Sequence, residues 1–501
     1  MRKIILFLIL LILVISCTKQ IEKPAEEKEQ QLLNPASVYC QEQGGTLRIE
    51  ENEAGQYGIC TLADGTECEE WAYYRRECPK QEVEEKAIEQ KGEEVEEPEE
   101  TQTNWPTFHG DSARTGFSNS KAPSKPNVLW KWTLEDFVNI GYEGNIDENW
   151  PIIYGDKIFF AAENIFAFEL KTGNKVWSYA EGENFYPRGL AAGDGKLFVT
   201  VNSDDNYAST NINLPSGFIY ALDEKTGKFL WKFKTDKGIP YSLPLFAENM
   251  VFIGDNSGSV YAIDADSGKL AWKKQLEGAK VIHSSPAYGN GIIFIGTEDS
   301  IGQSSKPSHL YALNPESGEE VWKFETDVVG GKLNLVHSTP SILDGIVYFG
   351  AENGYFYALS AEDGSLVWKQ EIASGSGEIV GTSAAAALGY GKVFIGTFEG
   401  KFLALDQKDG KVIWEYTFGK TEADSSPVLA DGKIYFGAGG GYFYGLNANT
   451  GDVIWKEKLG GSSATLGSGT LIVQNMLAED NLQEQTPVII AFSDEGKLSL
   501  W

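Results

Sequence analysis

Histidine is scarce in this chain: among 501 residues there are only His109, His283, His309 and His337. Two of the four stand in matching text, His283 at the head of HSSP (283–286) and His337 at the head of HSTP (337–340). Imidazole titrates near neutrality and ligates metals, so a histidine recurring at one register of a repeated segment has chemical potential. The simpler reading is two hydrogen-bonded strand histidines. A ligand site at His283 and His337 is the alternative, and no metal is assigned. Other reactive-looking patterns fail on spacing. Gly437–Gly441 (GAGGG) has no Lys-Ser/Thr after it, as a phosphate loop requires. The pairs Ser284-Ser285 and Ser425-Ser426 have no His/Asp motif beside them for nucleophile activation. DADSG (264–268) lacks the alternating oxygen ligands of a calcium loop.

The segment that carries the histidines belongs to a repeat. Seven copies of one short text occur: FAFELKTGNKVW, YALDEKTGKFLW, YAIDADSGKLAW, YALNPESGEEVW, YALSAEDGSLVW, LALDQKDGKVIW and YGLNANTGDVIW. They end on Trp177, Trp231, Trp272, Trp322, Trp368, Trp414 and Trp455, at steps of 41 to 54 residues. A period in this range means one supersecondary unit repeated. Within each unit the alternating text before the glycine reads as a strand, the polar residue and glycine as a tight turn, and the tryptophan as part of the returning strand. Upstream lie a second strand (KLFVTV, MVFIGD, IIFIGT, IVYFGA, KVFIGT, KIYFGA) and a short segment such as HSSPAY or HSTPSI. Each unit is therefore four antiparallel strands, A to D. One such sheet cannot bury its own faces, but sheets stacked radially can. The fold expected is all-β, an eight-bladed β-propeller of four-stranded antiparallel blades. Each tryptophan offers roughly 150–250 Å² and is expected to dock on the next blade. Trp130, in VLWKWTLED, resembles an orphan strand D, and the terminal IIAFSDEGKLSLW reads as strands B and C of the last blade. Their pairing would latch the ring, with Trp130 as an eighth docking residue.

The front of the chain is organised differently. Residues 1–16 have a basic start and an apolar run, as a secretory signal does. VISC (14–17) resembles a lipobox, which implies cleavage before Cys17 and a diacylglycerol on its thiol. Residues 17–31 read as a charged stalk. Residues 32–79 hold Cys40, Cys60, Cys68 and Cys78, an even count that implies two disulfides with three pairings open. No CxxC pair favours zinc there. Residues 80–103 carry ten Glu and three Lys and form a solvated linker, and 104–501 form the propeller region. With 42 Lys+Arg against 72 Asp+Glu, the net charge of −30 argues against nucleic acid as a partner.

Repeated YALDxxTGxxxW beside SSP-type strand A segments resembles the pyrroloquinoline-quinone-type (PQQ-like) propeller repeat, and NWPTFHGDSARTGF (104–117) resembles its leader. The four-cysteine module resembles a small family labelled putative hemolysin. The first resemblance implies either a quinoprotein dehydrogenase or a non-enzymatic member such as a BamB-like assembly factor of the outer membrane. The dehydrogenases carry a vicinal cysteine pair, oxygen ligands for calcium and long insertions. Here every cysteine precedes residue 79 and no two are adjacent. The expectation is a monomeric, lipid-anchored, extracytoplasmic scaffold that binds a protein, peptide or polymer partner, with no cofactor and no enzymatic activity.

Overall fold

In the computed structural model the described residues are 40, 45–52, 55–62, 66–69, 103–139, 150–162, 164–182, 185–202, 216–239, 241–279, 282–299, 305–418, 425–459, 464–474 and 487–498. The signal segment, Cys17, the stalk, Cys78 and nearly all of the Glu-rich linker lie outside them. The chain divides into two compact units, Met1–Glu97 and Pro98–Trp501. No helix among the described residues is long and apolar enough to cross a membrane.

The first unit contains a three-stranded antiparallel sheet, Thr46–Asn52, Gly55–Thr61 and Glu67–Glu69. A disulfide joins Cys40 to Cys60, one of the pairings the spacing left open. Cys68 lies opposite Cys60 in register, is buried and is also disulfide-bonded.

The second unit is built from eight sheets of four antiparallel strands, numbered here as blades 1 to 8. The seventh gains a short parallel fifth strand, Phe117–Ser118. Blade 4 is representative: strand A Ala287–Gly289, B Ile292–Gly296, C His309–Leu313 and D Glu320–Glu325. Strands B and C are buried nearly throughout, because both faces of each sheet are covered by neighbouring blades. Strand D buries only its tryptophan, as in Glu320–Glu325, and exposes the residues around it. The eighth sheet is made from both ends of the unit. Its strands are Ala464–Gly467, Thr470–Gln474, Pro487–Phe492 and Val128–Thr133. Trp130 pairs opposite Ala491 across it. This corrects the reading of the C-terminal text. IIAF belongs to strand C, not B, because TLIVQ (470–474) already supplies strand B and residues 475–486 intervene before C.

The GxxxW spacing has a physical cause. In blades 1 to 7 the turn glycine has φ between 67° and 77°. Each also faces the preceding blade's tryptophan so closely that a Cβ would overlap it, for example 2.6 Å from Trp272 at Gly318. Only glycine suits both demands. Each of these preceding-blade indoles then donates its N–H to a carbonyl of the next blade: Trp130 to Leu170, Trp177 to Glu224, Trp231 to Ala265, Trp272 to Pro315, Trp322 to Ala361, Trp368 to Gln407 and Trp414 to Ala448, at 2.8–3.2 Å. Trp455 faces blade 8, which has no such turn, and its N–H is buried without a partner among the described residues.

Residues 103–120 thread the centre of the ring and touch every blade. Trp105 bridges Ile153 of blade 1, and Pro106 accepts from Ala192 of blade 2. Carbonyls of Ser112, Ala113, Thr115 and Gly116 accept from Tyr288, Ile342, Leu388 and Leu429 on blades 4 to 7. Ser120 accepts from Gly469 of blade 8. The fully buried Arg114 donates to the carbonyls of Pro244 (blade 3), Pro286 (blade 4) and Phe108, and to Thr107 Oγ1. Burial lowers its guanidinium to about 9, which still leaves it charged at neutral pH. His109 lies between the carbonyls of Arg114 and Pro427, at 2.6 and 2.9 Å. This segment lines the ring at the level of strand A.

Candidate functional site

The serines of HSSP and HSTP are structural ties. Ser284 Oγ accepts from Gly296 N–H at 3.1 Å, and Ser338 Oγ accepts from Gly350 N–H at 2.9 Å. Each pins the lead into strand A to the end of strand B in its own blade. Ser242 to Gly254 and Ser425 to Gly437 repeat the device. The second hydroxyl links blades: Ser285 Oγ accepts from Leu243 N–H, and Thr339 Oγ1 from Ser285 N–H.

These ties fix what lies on either side of them. One residue before each serine is a histidine; two residues after each glycine is a glutamate. His283, Glu298, His337 and Glu352 therefore converge from two adjacent blades. Glu298 Oε1 is 2.5 Å from His283 Nδ1 and 2.7 Å from His337 Nε2. His337 Nδ1 is 2.6 Å from Glu352 Oε1. Both carboxylates are 3% exposed, whereas the His337 side chain is 25% exposed. Tyr241, at the matching position of blade 3, sets its ring edge-on to His283 at 4.5 Å.

Charge is concentrated here. Burial pulls the His337 imidazole down, but Glu298 and Glu352 more than offset this and hold it well above its usual value. Burial pushes the Glu298 carboxyl up, yet the imidazoles of His337 and His283 bring it down to about 2. The arrangement is not a finished hydrogen-bond network. Among the described residues, Asn256 Oδ1, His283 Nε2 and Glu352 Oε2 are buried without a hydrogen-bond partner. Asn256 holds in blade 3 the position of Glu298 and Glu352.

The structure thus brings together the two histidines that the sequence singles out, and adds two carboxylates that sequence reasoning missed. A signal existed. IIFIGTE (292–298) and IVYFGAE (346–352) place an acid at one register in the two repeats that carry the histidines. The remaining histidine, His309, sits on strand C against Asp299.

Residues 215–380 and 376–498, more than half of the chain, match the family of the outer membrane protein assembly factor BamB. The chain belongs to that PQQ-like propeller family. Residues 31–77 match a domain of unknown function, DUF333. The uncharacterized protein YoaF of Escherichia coli (strain K12) is 39% identical over 79 residues, 15% of this chain and 94% of YoaF. Tetrathionate hydrolase of Acidithiobacillus ferrooxidans is 25% identical over 218 residues, 40% of this chain and 41% of the hydrolase. The chain therefore spans about two fifths of that relative's length. Among solved structures, a europium-containing methanol dehydrogenase is similar in fold, with TM-score 0.61 and 17% identity, over 78% of this chain and 98% of that one.

These relatives correct the expectation of no enzymatic activity, since two of the proteins just named, the hydrolase and the methanol dehydrogenase, are enzymes. The expectation rested on missing quinone-site features such as a vicinal cysteine pair. Their absence speaks to one chemistry only, and hydrolysis needs none of them.

Proposed function

We propose that the chain is held outside the cytoplasm through Cys17 and that its propeller binds a partner (a protein, peptide or polymer) at the mouth of the funnel beside His283 and His337. The observation that carries this reading is the cluster of His283, Glu298, His337 and Glu352, in which His283 Nε2 and Glu352 Oε2 are buried without a partner among the described residues. Each such atom costs about 1–3 kcal/mol in a folded protein, so a cluster of them reads as a site completed by a ligand. The BamB family supports a binding role, as an assembly factor of the outer membrane, for the propeller. Crosslinking on intact membranes tests it: the wild type should capture a partner that the His283→Ala/His337→Ala variant does not. Equal capture by both would overturn the funnel as the binding site. Cys17→Ala should move the protein out of the membrane fraction, and unchanged association would remove the lipid anchor from the reading.

A catalytic use of the same funnel is the second reading, favoured by a buried carboxylate set between two imidazoles. The quinone and calcium of the family's dehydrogenases do not fit the residues present. Calcium takes oxygen ligands, whereas the donors that converge here include two imidazole nitrogens. Tetrathionate serves as a first probe of hydrolysis, with His337→Ala as control. Equal product formation by the two proteins would refute a funnel-based activity.

A further inference from the structure

The His–Glu arc has a geometry that ion pairing alone does not explain. Glu298 Oε1 approaches one nitrogen of each histidine, and one ligand atom from each of His283, Glu298 and His337 falls within 4.8 Å of the other two. Glu298 is 3% exposed, and the one oxygen Oε1 is shared between His283 Nδ1 and His337 Nε2. Two imidazole nitrogens gathered on one buried carboxylate oxygen are a donor set that a single cation can take.

We propose that His283, Glu298 and His337 bind a first-row transition dication, with Zn²⁺ as the representative, and that Glu352 positions His337. The proposal deepens the funnel reading and rests on it only for access to a partner. Donor chemistry selects the metal class. Two imidazoles and a carboxylate suit zinc and its neighbours, whereas calcium and magnesium take oxygen. The contact of His337 Nδ1 with Glu352 Oε1, at 2.6 Å, matches the carboxylate–histidine–metal arrangement. It makes Nδ1 the protonated nitrogen and leaves Nε2 for the ion. Ligand bonds of about 2.1 Å place ligand atoms roughly 3.0–3.4 Å apart around one ion. The atoms stand 2.5 and 2.7 Å apart, so entry of the ion needs them to spread by about half an ångström. The charges balance, since two carboxylates meet one dication. Three protein ligands leave a coordination position open, on the exposed side of His337. A water or a partner's donor atom would occupy it, as in metal sites that do chemistry.

The test uses the full chain, purified without a histidine tag and stripped with chelator. Titration with Zn²⁺ should give one tight site per chain, and Co²⁺ should give visible d–d absorption from a site with nitrogen ligands. Glu298→Gln and His337→Ala should each weaken Zn²⁺ binding at least 100-fold while the melting transition is retained. Glu352→Gln should keep the stoichiometry but weaken affinity about 10- to 100-fold, as expected of a positioning residue. No stoichiometric binding of Zn²⁺ or Co²⁺, or binding unchanged in His337→Ala and Glu298→Gln, overturns the proposal. The second outcome would place the metal elsewhere on the chain. If His337→Ala abolishes partner capture but the wild type binds no metal, the metal site fails and the funnel reading stands. Metal binding without any effect on capture sustains the metal site and removes the funnel reading.

Discussion

The tryptophan-to-carbonyl bonds between blades allow a comparison in which most contributions cancel. Trp272 and Trp455 are matched in burial, at 9% and 8% exposed. Each packs on a ring of its own blade's second strand: Phe252 lies 5.9 Å from Trp272 at 46°, and Tyr435 lies 5.8 Å from Trp455 at 43°, with Phe443 and Phe492 also 6.0 Å from Trp455. They differ in hydrogen bonding. Trp272 donates to Pro315 O at 2.8 Å, whereas the Trp455 N–H has no partner among the described residues. Replacement by Phe removes the same atoms at both sites, so the loss of ring volume is common to both. At position 272 it also strands the Pro315 carbonyl at a cost of about 1–3 kcal/mol, while at position 455 it removes a donor that is buried without a partner among the described residues and recovers about 1 kcal/mol. Trp272→Phe should therefore be the more destabilising by about 2–4 kcal/mol. Urea unfolding followed by far-ultraviolet circular dichroism reads the difference without relying on tryptophan emission. Equal midpoints for the two variants would mean that the inter-blade bonds contribute nothing beyond packing, and the account of GxxxW as a docking device would lose its polar half.

Three further outcomes rest on the same contacts. Gly318→Ala should cost more than Gly291→Ala: φ is 70° and 74° at the two positions, but only at 318 does a Cβ meet Trp272, at 2.6 Å, while position 291 is open. Thermal melts of the pair check this, and the gap between them reports the tryptophan contact. Arg114→Met should destabilise the propeller by about 2–4 kcal/mol, because it leaves the buried carbonyls of Pro286 and Phe108 without their donor, while Pro244 keeps Thr107 Oγ1; denaturant titration gives the value. Removal of residues 104–135 takes away both the segment that lines the ring and the fourth strand of blade 8, so its melt should fall far below that of the intact chain, and a melt equal to the parent's would break the latch argument.

How far the sequence reveals this molecule depends on whether a feature repeats. The glycine and tryptophan of each turn act between neighbouring blades, so the same pair recurs seven times and can be read directly. The last blade obeys no such rule. Its turn is missing, its fourth strand comes from Val128–Thr133, and residues 475–486 separate its second and third strands, so local similarity misassigned IIAF to strand B. The central segment is illegible for another reason. The segment 103–120 meets blades 4 to 7 in one repeated way, its carbonyls accepting from the middle residue of each strand A, but backbone contacts leave no pattern in side-chain text. The funnel site lies between these extremes. His283 and His337 could be seen because they share one repeat position; Glu298 and Glu352 share another, but an acid in so acidic a chain draws no notice on its own. Only the serine ties, which bring the lead into strand A against the end of strand B, turn two registers about fifteen residues apart into one cluster, as with Ser284 on Gly296. A repeat protein can thus build a site by changing two registers in two adjacent blades, here Tyr241 and Asn256 of blade 3 against histidine and glutamate in blades 4 and 5, while the scaffold residues around them stay the same.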